Sequence, residues 1–312
     1  MTQYQFQNSI PDGWDDLRNQ HDALFGTVAW QSFLESSFGC RTIYGTNGEQ
    51  GVAITIFKAG PFEVGYLVFP AGTTFGRAVN LRVLLDDFLG SNLGGKPVCL
   101  RMSPSAFSQS SDLDLKFVQN PETAITDLQG WDCMSVSKKL RRDIRKAEKS
   151  GLIPVEISDP AQGDAIYRMY EDTVRRHQGS MRYTREYFER LIRLSLTNDR
   201  VRIVGVSAED RLAGFAVTIR DRGTSYYLHG GTDPALRHLC TSDLLVRDVT
   251  DQARSDGSDS FNFMASPQDQ PMLVRFKEKW GATTRQLNTY TLPSGPLYPA
   301  FVLAESVYRI FR

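Results

Sequence analysis

The order in which apolar spacing switches along the second half of the chain is what most narrows the fold. Residues 153–157 alternate as a strand, and 161–176 and 183–195 carry helical spacing, the latter with Tyr187, Phe188, Leu191, Ile192 and Leu194 apolar. Strands follow at 201–207, 212–221 and 224–230, separated by Glu209 and Asp210 and by the Asp221-Arg222-Gly223 turn. A helix at 244–254, a strand at 260–264, a helix at 271–279 and a strand at 284–292 complete the series. Meandering antiparallel strands that lead into a β-α-β crossover predict an α/β fold with a mixed sheet rather than an all-parallel one.

The first half has a similar texture. Trp30, Phe33, Leu34 and Phe38 mark a helix at 29–38, strands are expected at 42–45, 52–58 and 64–69, a helix at 77–89 and a strand at 97–102. Asn47-Gly48 and Gly60-Pro61 supply the turns. No repeat of 20 to 50 residues is readable, yet 312 residues in two halves of like texture fit two diverged copies of one fold. Apolar residues at 41% and charged residues at 23% can build sizeable cores and exclude a disordered chain.

Lys plus Arg and Asp plus Glu both total 36, so a polyanionic partner must be argued from local clustering. One cluster exists. Behind the serine cap that Ser135 and Ser137 offer, 138–149 reads as a helix closed by Gly151, with Leu140, Ile144 and Ala147 as a narrow apolar stripe. Lys138, Lys139, Arg141, Arg142, Arg145, Lys146 and Lys149 occupy most of the remaining circumference. A solvated face and a clamp for an anionic substrate both fit that pattern.

Cys40, Cys99, Cys133 and Cys240 fall in no C-x-x-C spacing, which removes the usual zinc and dithiol signatures and favours a reduced, cytoplasmic protein. The N-terminus has neither a basic start nor an apolar run, so no signal peptide is expected, and no stretch approaches the ~20 apolar residues of a membrane span. No metal site is expected.

Three segments then carry a resemblance. WDCMSVSKKLRRDIRKAEKSGLIPVEI resembles the basic helix with which Fem-type peptidyltransferases and their acetyltransferase-like relatives end their first domain. YYLHGGTDPALRHLCTSDLLVRDVTDQARSDGSDSFNFMASP is similar to their strand, loop, helix and strand, and RFKEKWGA to their Phe-Lys-x-x-Phe-Gly segment, with Trp280 for the second Phe. The likeness covers 130–292. It implies two GNAT-like domains in tandem, 1–152 and 153–294, with the C-terminal helix 295–312 returning to the first. Of that helix, Phe301, Val302, Leu303, Val307, Ile310 and Phe311 form the apolar face expected to pack.

The activity it implies is transfer of an acyl or aminoacyl group, from acyl-CoA or aminoacyl-tRNA as co-substrate, to an amine of a small molecule, peptide or cell-envelope precursor. No bound cofactor is implied. The alternative is a GNAT-like domain without catalysis, serving as a binding or assembly module. Lys277, four residues before Gly281, stands where the family carries its lysine, and would stabilise an oxyanion or protonate the leaving group. Tyr227 and His229 lie on one face of a strand by period-two alternation, which makes His229 a base for the acceptor amine. Ordinary GNAT enzymes place a glycine-rich pyrophosphate loop where this chain has Arg237, His238, Leu239, Cys240, Thr241 and Ser242. Cys240 there replaces the first glycine and obstructs close backbone approach. Lys138, Arg141, Arg142 and Arg145 are the candidate substrate or tRNA contacts on the basic helix. Asp269, with Asp259, Asn262 and Gln268 behind it, is the polar candidate near the cleft.

Overall fold

Alternating runs of β-branched and aromatic residues around tight turns give the first unit its strands. The computed structural model describes residues 3–19, 22–67, 69–70, 80–107, 114–176, 181–208 and 211–310. In chain order the first half contains β1 (Gln5–Gln7), α1 (Trp14–Asn19), α2 (Val28–Phe38), β2 (Arg41–Thr46), β3 (Gly51–Ala59), β4 (Phe62–Leu67), α3 (Leu81–Gly90) and β5 (Cys99–Met102). β6 (Lys116–Ile125) follows. The Asn47 side chain accepts the amides of Glu49 and Gln50, closing the β2–β3 turn expected from Asn47-Gly48. Thr27 caps α2, and Asn80 caps α3, so of the helix expected at 77–89 the residues 77–79 lie outside the described residues.

The remaining elements are α4 (Cys133–Val136), α5 (Lys138–Lys149), β7 (Ile153–Glu156), α6 (Gly163–Arg176), α7 (Arg185–Thr197), β8 (Val201–Ala208), β9 (Arg211–Asp221), β10 (Thr224–Thr232), α8 (Thr241–Ser255), β11 (Ser260–Ala265), α9 (Pro271–Glu278), β12 (Thr283–Pro293) and α10 (Tyr298–Ile310). Glu209 and Asp210 lie outside the described residues.

The chain divides into two compact units, Met1–Pro121 with Arg285–Arg312, and Glu122–Thr284. This differs from an expected division after residue 152. The reason is packing: Leu128, Trp131, Leu140, Ile144 and Ala147 are buried in the same core as Leu244, Leu245, Val249, Phe261 and Trp280, so the basic helix belongs to the second unit.

In the first unit the strands run β1-β2-β3-β4-β5-β12, with β4 and β5 parallel and the other pairs antiparallel. Ile43, Ile54, Leu67, Leu84, Leu85, Phe88, Leu100 and Tyr290 form its core. α10 lies in this unit. Phe301 is buried with Val64, Val98 and Cys99, and Arg101 pairs with Glu305 at 2.6 Å.

The second unit has the order β6-β11-β10-β9-β8-β7, with β10 and β11 parallel and their neighbours antiparallel, the mixed sheet expected from sequence. Neighbouring residues of β9 show its two covered faces. Gly214 gives room to Leu245 of α8, and a Cβ there would stand 2.8 Å from it, while Phe215 packs on Phe188 of α7. α5 packs on α8, and α6 packs on β9 and β10.

Candidate active site

β10 and β11 pair for only three residues, Thr224 to Tyr226 against Ser260 to Asn262, although β10 continues to Thr232 and β11 to Ala265. Each strand is irregular just where the pairing stops. The β10 register shifts between Tyr227 and His229, and the β11 register against β6 shifts between Asn262 and Ala265. Two parallel strands that part at their C-terminal ends leave a crevice open to a ligand.

Lys277 of α9 meets that irregular end of β11. It is 6% exposed, and its ammonium donates to the Met264 carbonyl at 2.9 Å and to Ser266 Oγ at 2.7 Å. Among the described residues these are its two hydrogen-bond acceptors, which leaves one N–H of the three. Burial pulls its pKa down to about 7, while the Glu122 carboxylate acts in the opposite direction.

The bulge corrects the expected shared face of Tyr227 and His229. With an extra residue between them the alternation fails, and the two side chains pack in different cores. Tyr227 lies against Phe261 and Phe263, and burial raises its hydroxyl pKa, so the phenol stays protonated. His229 turns to α7, where Nε2 shares a 2.8 Å hydrogen bond with the Tyr187 hydroxyl inside a cage of Tyr183, Tyr187 and Phe188. Burial drops its pKa to about 3, so the ring is neutral. No hydrogen bond among the described residues joins His229 to Lys277.

After β10 a 3-10 turn, Pro234–Leu239, presents Arg237 and His238 to solvent. Cys240 then adopts φ 61°, a left-handed conformation that glycine takes most readily, and α8 starts without a side-chain cap. Thr241 is buried with its hydroxyl on the Leu236 carbonyl, and Ser242 is half-buried behind it. Asp243 in the first turn is neutralised by Lys279. Burial, with Asp143 and Asp243 nearby, raises the Cys240 thiol pKa, which disfavours a thiolate nucleophile.

The second feature of this unit is an open groove of about 570 Å³ lined by Lys138, Arg141, Arg142, Arg145, Lys146, Lys149 and Ser150. The apolar stripe of α5 is buried, so every lining cation lies on its outer side. Arg141 donates to the Met134 carbonyl and Arg142 pairs with Asp143, whereas Lys138, Arg145, Lys146 and Lys149 have no ion pair among the described residues. Lys146 is close enough to Cys240 to act on its thiol, which puts the groove beside the start of α8.

Asp269 and Gln268 are exposed between β11 and α9, and Asp259 precedes β11 at the opposite end of that strand from Lys277. Asn262, a second-rank candidate from sequence, is instead buried and bonded to Glu122. Sequence reasoning missed Glu122, Ser266 and Tyr187; Ser266 alone carried a signal, as the small polar residue directly before Pro267 at the end of a strand. Among the described residues no three His, Cys, Asp or Glu side chains gather as for a metal, and no helix is long and apolar enough to cross a membrane.

Residues 134–278 match the family model of the acetyltransferase (GNAT) domain. No curated protein sequence matches the chain. Among solved structures, FemX is similar with a TM-score of 0.66 at 13% identity, covering 95% of this chain and 99% of that one. L-PGS from Bacillus licheniformis is similar with a TM-score of 0.60 at 15% identity, over 98% of both chains. A tandem GNAT protein from the clavulanic acid biosynthesis pathway reaches 0.53 at 12% identity, over 94% of this chain and 99% of that one. Residues 134–278 therefore carry a match to the GNAT acetyltransferase domain, and the whole chain shares its fold with FemX and with the tandem GNAT protein.

Proposed function

We propose that this protein is an N-acyltransferase that moves an acyl or aminoacyl group from acyl-CoA or aminoacyl-tRNA to the amine of a small molecule, peptide or cell-envelope precursor. The observation that supports it best is Lys277, a buried ammonium with one N–H left over, beside the point where β10 and β11 part. In the transfer the neutral acceptor amine attacks the donor carbonyl, forming the C–N bond. The tetrahedral oxyanion then collapses and the C–S or C–O bond to the donor breaks. The attacking nitrogen loses a proton and the departing thiolate or alkoxide gains one. Lys277 is suited to donate to the oxyanion or the leaving group, because a desolvated ammonium is a strong donor and, with a pKa of about 7, exchanges its proton readily near neutrality.

The α5 groove and the uncapped start of α8 suit the phosphates of either donor, a nucleotide-linked thioester or the backbone of tRNA. His229, buried and neutral, fits a role as a fixed partner of Tyr187 better than that of a base in direct contact with the acceptor.

The test is incubation with radiolabelled acetyl-CoA, longer acyl-CoAs and charged tRNA in the presence of mixed amine acceptors. Transfer from one donor is expected. Lys277→Met, which keeps the aliphatic length and removes the charge, should slow it by about a hundred- to a thousandfold, the usual cost of one oxyanion donor. Transfer from none of the donors would overturn the proposal and leave a binding or assembly module.

A further inference from the structure

The lysine is held by a chain of buried polar groups that reaches across two strands. Asn262 of β11 is 2% exposed; its amide N–H donates to Glu122 Oε1 of β6 at 2.8 Å, and its Oδ1 accepts the Met264 N–H at 2.7 Å. Met264 has φ 63°, a left-handed conformation that a residue with a side chain keeps only where its surroundings enforce it. The enforcing contact is visible: the Asn262 side chain bridges to the amide two residues on, and so fixes the bulge in β11. The carbonyl of that same Met264 accepts from Lys277 Nζ. Glu122, at the other end of the chain, is fully buried.

An amide is suited to the middle position because one end donates and the other accepts. A carboxylate there would face Glu122 with like charge, and an apolar side chain would release both the Glu122 oxygen and the Met264 amide. Of the charged groups near Lys277, Arg275 on α9 reaches Met272 Sδ, Glu278 is engaged by Thr284, Lys279 just after the helix pairs with Asp243 of α8, and the charge that acts on Lys277 from β6 is that of Glu122.

Resting on the acyl-transfer reading of this site, we propose that Asn262 and Glu122 are positioning residues for Lys277. Asn262 holds the β11 bulge that aims the Met264 carbonyl at the ammonium. The buried Glu122 carboxylate is the counter-charge that keeps the lysine protonated. Neither residue touches the substrate.

The test reads the protonation of Lys277 directly, by following its Cε and Hε resonances with pH in isotopically labelled full-length protein, assigned with Lys277→Arg. In the wild type the midpoint should lie near neutrality. Glu122→Gln should move it down by about 1–3 units, the usual effect of losing a close opposite charge. Glu122→Asp, which keeps the charge, should leave the midpoint near the wild-type value, and Asn262→Ala, which frees the Met264 amide and the Glu122 oxygen, should move it. The alkaline limb of the transfer rate should follow the same order. A midpoint that Glu122→Gln leaves in place in a folded protein would overturn the inference. If that variant does not fold, an unmoved midpoint in Asn262→Ala would overturn it equally. Midpoints that move as expected in a protein without any transfer activity would support the positioning chain and refute the acyl-transfer reading alone.

Discussion

His229 carries a cost that acid conditions expose. Buried in its aromatic cage it binds a proton only near pH 3, while in the unfolded chain it does so near its ordinary value of about 6.5. The unfolded state therefore binds more protons between those values. The native state holds the full contribution of this residue above ~6.5 and loses it as pH falls toward 3. His229→Gln keeps a polar partner for Tyr187 and removes the titration, so its melting temperature should fall less between pH 7 and pH 5 than that of the wild type. Equal losses in thermal scans of the two proteins would refute this. The same residue marks what the sequence could not convey. Strict alternation placed Tyr227 and His229 together, but one extra residue in β10 separates them, and a bulge leaves no mark in residue pattern. Lys277 was legible because a short segment carried it. Of its supports, Asn262 was legible only as a polar residue near the cleft, and Glu122 was not: it sits directly after Pro121, and a proline argues against a strand interior. Cys240 shows the converse, since its place before α8 was legible and its left-handed backbone was not.

At the scale of elements, α5 was read correctly as an amphipathic helix. Ser137 accepts the Leu140 amide as its cap, and Leu140, Ile144 and Ala147 are its buried residues. What periodicity could not show is how its long cationic side chains stand apart on the outer side, leaving an open space lined, among the described residues, by α5 and its C-terminal Ser150 alone. From Lys138 to Lys149 the stripe extends about 16 Å at 1.5 Å per residue, long enough to follow several phosphates of a strand. If aminoacyl-tRNA is the donor, its affinity should fall as salt rises. Replacing Arg142, Arg145 and Lys149 together by glutamine should lower the log-log salt slope by about 2, at ~0.7 per phosphate contact in a single strand. Fluorescence anisotropy of labelled tRNA across a KCl series gives the slope, and an unchanged slope in the triple variant would exclude the groove as the contact. Arg141 is left intact there because it supports the Met134 carbonyl.

Over the whole molecule, the chain leaves its first unit through β6 and returns through β12, so the last residues belong with the first ones. Texture along the sequence divided the chain after the basic helix, whereas burial divides it before, at the start of the segment whose Leu128 and Trp131 enter the second core. The C-terminal helix follows the same lesson. Six apolar residues there looked like one packing face; Ile310 and Phe311 lie among residues whose side chains are not described, and of the other four only Phe301 is buried. Val302, Leu303 and Val307 are 40%, 68% and 46% exposed. The inner side is short but well anchored. The Phe301 ring meets Phe62 edge-on at 5.6 Å, the Arg101 guanidinium lies 5.6 Å from its centroid, and Glu305 closes the contact on Arg101. Charge on Glu305 and the Tyr66 hydroxyl hold the Arg101 pKa above its ordinary value against burial, so that pair stays ionised. Phe301→Ala should therefore cost about 3–5 kcal/mol, the range for emptying a buried aromatic site. Leu303→Ala, on the outer side of the same helix, should cost less than about 0.5 kcal/mol. Hydrogen exchange distinguishes a local from a general effect: Phe301→Ala should speed exchange in β4 and β5 and leave β8 and β9 protected as before. If both substitutions loosened the first unit equally, α10 would be packed through its outer side as well, and the single-anchor account of this helix would fail.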